Sequence, residues 1–224
     1  MDEFAKDRFV FDGFEMIKVV VGMLAVNCYI VWDKETRDAV VIDPGGDPAD
    51  VIDAVEADKL QVKYVINTHG HFDHVGADGD VIKAFGAELA IHSADAPMLE
   101  NAAAYSIAFG AAAKNQPPPD ITIKHGSVIR FGGVEINVLA SPGHTPGGVL
   151  LSINDGKAVI TGDSIFAGSI GRTDLPGGSY EDLMTSLRDR ILPMNDDTRL
   201  FPGHGPDTTV REEKDTNPYL QEML

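Results

Sequence analysis

Short apolar runs recur along the chain, and each is followed by glycine, proline or a polar residue. Four of these runs are typical of strands rather than of helices, at residues 39–42, 88–91, 134–139 and 157–160. The pattern predicts a β-rich amino-terminal half, then a β-α-β passage over residues 63–91, then a second set of strands from residue 121.

Three stretches have helical signals. Residues 75–85 and 180–191 are predicted helices, and residues 101–114 are alanine-rich and compatible with a helix that Pro117 to Pro119 would end. For this third stretch we favour an ordinary surface helix followed by a stiff connection. The alternative is a cover over a substrate cleft, with Tyr105 or Phe109 facing the substrate.

The most informative polar stretch is residues 68–74, Thr-His-Gly-His-Phe-Asp-His, which follows an apolar run. His69 and His71 are two positions apart, so on an extended segment their side chains point the same way and can bind one ion. Asp73 and His74 lie where the predicted helix begins, which directs them to a second point. Imidazole and carboxylate groups are ligands for zinc or iron. The loop predicts half of a two-metal centre, and a polar loop capping a strand is the simpler alternative.

Three later apolar runs each lead to a glycine-flanked ligand-type residue: His144, Asp163 and His204. Glycine lets the backbone take the tight conformations that bring a side chain close to an ion. Because functional sites in α/β sheets gather at the carboxyl ends of strands, we expect these three loops to converge on the His-rich loop.

The sequence His-x-His-x-Asp-His, followed by separate His, Asp and His residues, resembles the metallo-β-lactamase superfamily. The resemblance covers about residues 18–219 and implies an α+β fold, a four-layer αββα sandwich. Residues 162–166 and 171–174, with Asn217-Pro218, are most similar to glyoxalase II-like hydrolases of the short, single-domain kind. β-Lactamases of this superfamily commonly have Cys in place of Asp163, so antibiotic hydrolysis is not the expected main role.

The family pattern implies a ligand set for two ions. Metal 1 is expected on His69, His71 and His144. Metal 2 is expected on Asp73, His74 and His204, and Asp163 is expected to bridge the two ions. Seven ligands shared by two ions leave coordination positions open for water and substrate, which implies catalysis rather than a structural role.

Two further residues match auxiliary positions of the family. The Asp that matches Asp43 orients a ligand imidazole, and a carboxylate behind a metal-bound His fixes its tautomer. Asp43-Pro44-Gly45-Gly46 is also a favourable turn sequence, and both interpretations can hold together. Arg172 matches a basic residue that helps to hold an anionic substrate group. A salt bridge between Arg172 and Asp174 is the competing interpretation.

The implied chemistry is hydrolysis. Two dications lower the pKa of a water molecule from about 15.7 to about 7, so a bridging hydroxide would exist at neutral pH and the catalytic Asp73 would orient it. A thiolate, with a parent pKa of about 8.5, leaves without a general acid. This favours a thioester hydrolase, and the resemblance to glyoxalase II-like proteins implies small thioesters of the 2-hydroxyacyl-glutathione type as its substrates. Zinc is the first choice of metal, with iron or manganese as alternatives.

Two other functions stay open at this point. One is a mononuclear iron persulfide dioxygenase acting on glutathione persulfide, because such enzymes have a similar fold and Gly-Arg-Thr-Asp stretch. The other is a non-catalytic metal-binding or scaffolding protein, against which the open ligand count argues.

Composition and charge limit the class of protein and its partners. A chain of 224 residues that is 43% hydrophobic can bury the core of one domain, predicted to span residues 1–224. With 35 acids against 18 bases and a net charge of −17, it would repel nucleic acid. Residues 1–14 lack the features of a signal peptide, and no run approaches a membrane span. We expect a cytoplasmic protein with a small-molecule substrate; the oligomeric state is left open.

Overall fold

The chain folds into an α+β sandwich of four layers, in which two sheets face each other and helices cover their outer faces. A computed structural model describes residues 7–223. The predicted αββα architecture is confirmed. Residues 1–6 and 224 lie outside the described residues. Parts of two predictions fall on them: the single domain over residues 1–224 and the absence of a signal peptide.

Seven strands form the first sheet in chain order. They are β1 (Asp7–Val10), β2 (Phe14–Val21), β3 (Val26–Asp33), β4 (Asp38–Ile42), β5 (Gln61–Ile66), β6 (Glu88–His92) and β7 (Ile121–Ile123). Strands β1 to β4 pair antiparallel, whereas β4 to β7 pair parallel. Parallel neighbours require crossover connections. These contain α1 (Pro48–Ala57), α2 (Phe72–Val75), α3 (Asp78–Phe85), α4 (Ala96–Leu99) and α5 (Ala102–Ile107).

Six strands form the second sheet, in the order β15-β14-β11-β10-β9-β8. They are β8 (Val128–Phe131), β9 (Val134–Ala140), β10 (Val149–Ile153), β11 (Ala158–Gly162), β14 (Arg199–Pro202) and β15 (Thr208–Thr209). A small hairpin of β12 (Ile165–Phe166) and β13 (Ser169–Ile170) follows β11. The helices of this half are α6 (Tyr180–Ser186), continued by a π-helical turn (Leu187–Ile191), then α7 (Val210–Thr216) and α8 (Pro218–Gln221). Because β11 and β14 are parallel neighbours, their carboxyl ends lie side by side.

Three apolar clusters separate the four layers. Strand β3 explains the arrangement, because its side chains alternate between two buried faces. Tyr29 and Val31 pack between the sheets, whereas Ile30 and Trp32 pack under the helices of the first sheet. A strand buried on both faces reads as a continuous apolar run.

Three predicted elements differ from the structure in detail. The helix predicted at residues 75–85 begins earlier, at α2, and breaks before α3 because the amide of Ala77 donates to the carbonyl of Pro44 instead of continuing the helix. The alanine-rich stretch is helical only in α5, and Gly110 adopts a left-handed conformation soon after it. Strand β7 pairs with β6, so the second sheet begins at β8 rather than at residue 121.

No helix within residues 7–223 combines the length and apolar content needed to cross a bilayer.

Candidate metal centre

The His-rich loop connects β5 to α2 at the carboxyl edge of the first sheet. His71 is the residue before α2 and is extended (φ −67°, ψ 144°), and Asp73 and His74 lie within the helix. His69 and His74 are buried, whereas His71 and Asp73 are partly exposed. A larger residue would not fit at the position of Gly70, because its Cβ would lie 2.8 Å from Cβ of Met98. The chain changes from extended to helical after His71. The side chains of Asp73 and His74 therefore point away from those of the two preceding histidines.

Three loops from the second sheet meet this loop. His144 lies between β9 and β10, Asp163 follows β11, and His204 follows β14. Backbone hydrogen bonds connect the two sheets at this edge: the amide of Val149 donates to the carbonyl of Thr68 at 2.9 Å. Glycine is required at Gly203, because a Cβ there would lie 2.3 Å from Oδ1 of Asp163.

The seven residues form two groups around one carboxylate. Within each group the ligand atoms lie within 4.8 Å of one another; the groups are His69, His71 and His144, and Asp73, His74 and His204. Asp163 lies between them, with its oxygens 3.3 Å from Nε2 of His74 and 3.5 Å from Nε2 of His144. The structure thus brings together all seven side chains predicted as ligands; their binding of metal stays a prediction.

Unpartnered buried atoms test whether these residues fit a metal. Nε2 of His74, Nε2 of His144 and Oδ1 of Asp163 are buried and have no hydrogen-bond partner. A buried polar atom without a partner costs about 1–3 kcal/mol, which folded proteins rarely leave uncompensated. All three atoms are chemically suited to coordinate a divalent cation. The donor set fits two metal ions.

Hydrogen bonds at Nδ1 fix the tautomers of two predicted ligands, His144 and His204. Nδ1 of His144 donates to the carbonyl of Arg172 at 2.7 Å, and Nδ1 of His204 donates to the carbonyl of Leu24 at 3.0 Å. A carbonyl only accepts, so Nδ1 carries the proton and Nε2 presents a lone pair. This is the arrangement in which a neutral imidazole binds a metal.

The electrostatics of the centre fall into two parts. Burial, followed by the proximity of His144, lowers the pKa of His71 to about 4, and burial lowers the pKa of His69 well below its usual value. Burial also acts to lower the pKa of His74, but Asp163 and then Asp43 raise it well above its usual value. The carboxylates around His74 therefore favour a positive charge at this position, which a metal ion would supply in place of a proton.

Asp43 lies directly behind His74. Its side chain is 1% exposed and accepts hydrogen bonds from Nδ1 of His74 at 2.9 Å and from the amide and hydroxyl of Thr68 at 2.7 and 2.6 Å. The backbone of Asp43 is left-handed (φ 52°), a conformation that Asp tolerates better than most residues. The structure places Asp43 where it orients an imidazole and also starts a turn, so both sequence interpretations fit.

Asp95 is a connecting residue that the sequence reasoning missed. It is fully buried and accepts hydrogen bonds from the amide of Gly70 (3.0 Å), the hydroxyl of Thr145 (2.6 Å) and the amide of Gly147 (2.6 Å). These donors belong to two loops, those of His69–His71 and of His144. One carboxylate thus holds together the two loops that form the first ligand group. The available signal was its position just after β6, the parallel neighbour of β5.

A cleft of about 800 Å³ opens above the centre. We call its base the floor, formed by five of the predicted ligands, His71, Asp73, His144, Asp163 and His204. We call its sides the wall, whose largest apolar and aromatic side chains are Leu24, Phe72, Met98, Tyr105, Phe109 and Leu175.

Two predictions from the sequence concern residues at the edge of the cleft. Tyr105 and Phe109 line the cleft, as in the cover alternative and not as in the favoured surface helix. Arg172 also lines the cleft, but its Nε and Nη2 both lie 2.8 Å from the carboxylate of Asp174. In this exposed pair the hydrogen bond from Arg172 lowers the pKa of Asp174 to about 2. Substrate binding by Arg172 stays a prediction.

The chain is similar to several known proteins. It matches the Metallo-beta-lactamase superfamily over residues 21–204. Hydroxyacylglutathione hydrolase GloC of Haemophilus influenzae is 38% identical over 196 residues, which cover 87% of this chain and 92% of the relative.

Two solved structures have the same fold. The crystal structure of BLEG-1 B3 metallo-beta-lactamase has a TM-score of 0.86 at 32% identity and covers 92% of this chain and 99% of its own. The crystal structure of TTHA1623 in a di-iron-bound form has a TM-score of 0.83 at 38% identity, with 91% and 99% covered.

Proposed function

The chain belongs to the metallo-β-lactamase superfamily, and from that premise we propose that it is a metal-dependent hydrolase that cleaves small thioesters. Thioesters of the 2-hydroxyacyl-glutathione type are the first to test, because the relative from Haemophilus influenzae is named for that activity. One observation carries the proposal: Asp163 lies between two ligand groups whose unpartnered atoms are buried beneath a cleft.

The residues divide between two ions. His69, His71 and His144 would hold one ion, Asp73, His74 and His204 the other, and Asp163 both. Imidazole and carboxylate donors suit zinc, our first choice, and also iron and manganese. Because TTHA1623 has been solved in a di-iron-bound form, iron deserves a direct assay.

When bound, two divalent cations lower the pKa of water and polarise a carbonyl. The carboxylate of Asp73 supplies orientation. Burial acts to raise the pKa of Asp73, but the neighbouring His74 and then His204, whose Nε2 lies 3.5 Å from the carboxylate, lower it below its usual value, so the group is ionised at neutral pH. It can therefore accept a hydrogen bond from an attacking water and direct that water towards the carbonyl carbon. The thiolate product leaves without a dedicated acid, because its parent pKa is about 8.5.

The single-iron persulfide dioxygenase is the alternative function. The second ligand group, Asp73, His74 and His204, supports the two-ion hydrolase over this alternative. One iron per chain, together with oxygen uptake on glutathione persulfide, would favour the dioxygenase.

A thiol-release assay tests the proposal. The metal-loaded protein is incubated with S-lactoylglutathione or with an acetyl thioester of N-acetylcysteamine, and free thiol is measured before chelation, after chelation and after metal is restored. We expect release that is lost on chelation and regained with metal. A chromogenic β-lactam is the control. If it is cleaved faster than the thioesters, the thioester proposal is wrong and a β-lactamase replaces it. Failure to cleave any thioester or ester would return the protein to the non-catalytic class.

A further inference from the structure

The wall of the cleft is apolar where a substrate would extend from the floor. Phe72 and Phe109 contact each other with ring centroids 5.4 Å apart, and Tyr105 and Met98 lie beside them in the lining. Tyr105 is 45% exposed and Phe109 is 40% exposed. Aromatic side chains left this exposed beside a cleft gain free energy when an apolar group covers them.

The same cleft offers little to a negatively charged substrate. Within residues 7–223, Arg172 is the one lysine or arginine that lines it, and its Nε and Nη2 already donate to the carboxylate of Asp174. The chain as a whole has a net charge of −17. Glutathione carries two carboxylates, and neither would find a free cation among these lining residues.

We propose that the cleft binds the apolar acyl arm of a thioester whose thiol portion is uncharged within the cleft, in preference to a glutathione thioester. The arm is placed on the acyl side because biological thiols that form thioesters are themselves polar. This inference names the substrate class of the proposed hydrolase and rests on that function for the cleavage step. The binding step can be measured without cleavage.

Non-cleavable thioethers separate binding from chemistry. The metal-loaded protein is titrated by calorimetry with S-methyl-N-acetylcysteamine, S-hexyl-N-acetylcysteamine and S-hexylglutathione. The first two differ only in the apolar arm, and the last two differ only in the thiol portion. We expect S-hexyl-N-acetylcysteamine, called the hexyl compound below, to bind at least about tenfold more tightly than the S-methyl compound, because the cleft would bury part of the hexyl chain. We also expect it to bind more tightly than S-hexylglutathione.

A matched pair of variants places the arm. Phe109→Ser removes a ring from the wall, whereas Ile107→Ser removes an apolar side chain of the same segment that is 73% exposed and outside the lining. Phe109→Ser should weaken the hexyl compound about fivefold and leave the methyl compound within about twofold. Ile107→Ser should change neither. Thermal unfolding of both variants verifies that they are folded.

Three results would overturn the inference: equal binding of the methyl and hexyl compounds, tighter binding of S-hexylglutathione than of its neutral counterpart, or equal losses from Phe109→Ser and Ile107→Ser. Cleavage assays separate this failure from failure of the proposed function. If S-lactoylglutathione is hydrolysed faster than hexanoyl-N-acetylcysteamine, the hydrolase stands and the inference fails. If the thioethers bind as expected but no thioester is cleaved, the binding inference stands and the hydrolase fails.

Discussion

The floor and the wall of the cleft are built in opposite ways. Side chains of the floor are held from behind: His144 and His204 each donate to a backbone carbonyl, and Asp95 connects the loops of the first ligand group. Three side chains of the wall, Leu24, Tyr105 and Phe109, are held by little, because each is more than a third exposed. Phe72 is the exception, since it packs in the core. The fold therefore fixes the positions of the predicted ligands, and it leaves the selection of substrate to exposed side chains of the wall.

This difference predicts that changes in the floor remove metal and activity together, whereas changes in the wall alter only the preference among substrates.

The largest effect is expected at Asp163. Asp163→Asn keeps the shape of the side chain but removes the charge shared by both ligand groups. We expect kcat/KM for an acetyl thioester to fall by at least about 10³, because bound ions contribute several kcal/mol to the stabilisation of the transition state. Metal content should fall with it. Phe109→Ser is the contrasting wall variant and should stay within about twofold on this small substrate; equal losses would contradict the division between floor and wall.

A smaller loss is expected behind the floor, at Asp43. Asp43→Asn replaces the carboxylate that orients His74 and accepts from Thr68. Loss of such a partner costs about 10–100-fold in metal affinity. Competition with a chelator of known affinity measures this loss. An unchanged metal affinity would leave Asp43 as a turn residue only.

At Asp95 we expect a loss of stability with a weaker loss of metal. Asp95→Asn turns one acceptor into a donor that faces an amide or hydroxyl, which should cost about 1–3 kcal/mol of unfolding free energy. The first ligand group should bind metal about tenfold more weakly, as for other residues behind a ligand. Chemical denaturation and metal competition give the two values.

Asp33→Asn is the matched control for Asp95. Asp33 is also buried and accepts from three backbone amides, those of Glu35, Thr36 and Gly133, but it lies away from the floor. It should lose similar stability and keep its metal affinity. If Asp33→Asn weakens metal binding as much as Asp95→Asn does, Asp95 has no positioning role.

The smallest effect is expected at the edge of the cleft. Arg172→Ala should raise KM for S-lactoylglutathione by less than about fivefold, and for neutral thioesters by less still, because the exposed guanidinium already binds Asp174. Asp174→Asn frees the guanidinium and should lower KM for the anionic substrate. Equal effects of Arg172→Ala on anionic and neutral thioesters would remove its role in substrate binding.

Much of the metal centre could be predicted from sequence, because four of its seven residues have a local signal. His69, His71, Asp73 and His74 lie within one loop, and the alternation of an extended chain followed by a helix fixes where they point. The three distant residues were placed by glycine-flanked positions after apolar runs and by resemblance to the family. The strands that position them were predicted for the same reason, since short apolar runs with defined ends are typical of buried strands.

The wall could not be predicted in the same way. Tyr105 and Phe109 have no spacing signal, and an apolar residue of a cleft has the same composition as one of a core. Their position depends on how the segment after α5 lies over Phe72, which is a matter of tertiary packing. Asp95 was missed because a single aspartate after a strand is common, and its three partners come from loops about 25 and 50 residues away.

The metal content of natively purified protein tests the central claim most directly. Elemental analysis by mass spectrometry, referred to protein concentration, should give close to two transition-metal ions per chain, as a shared Asp163 between two ligand groups requires. A value near one would contradict the two-ion centre, and no retained metal would contradict a metal centre at the floor altogether.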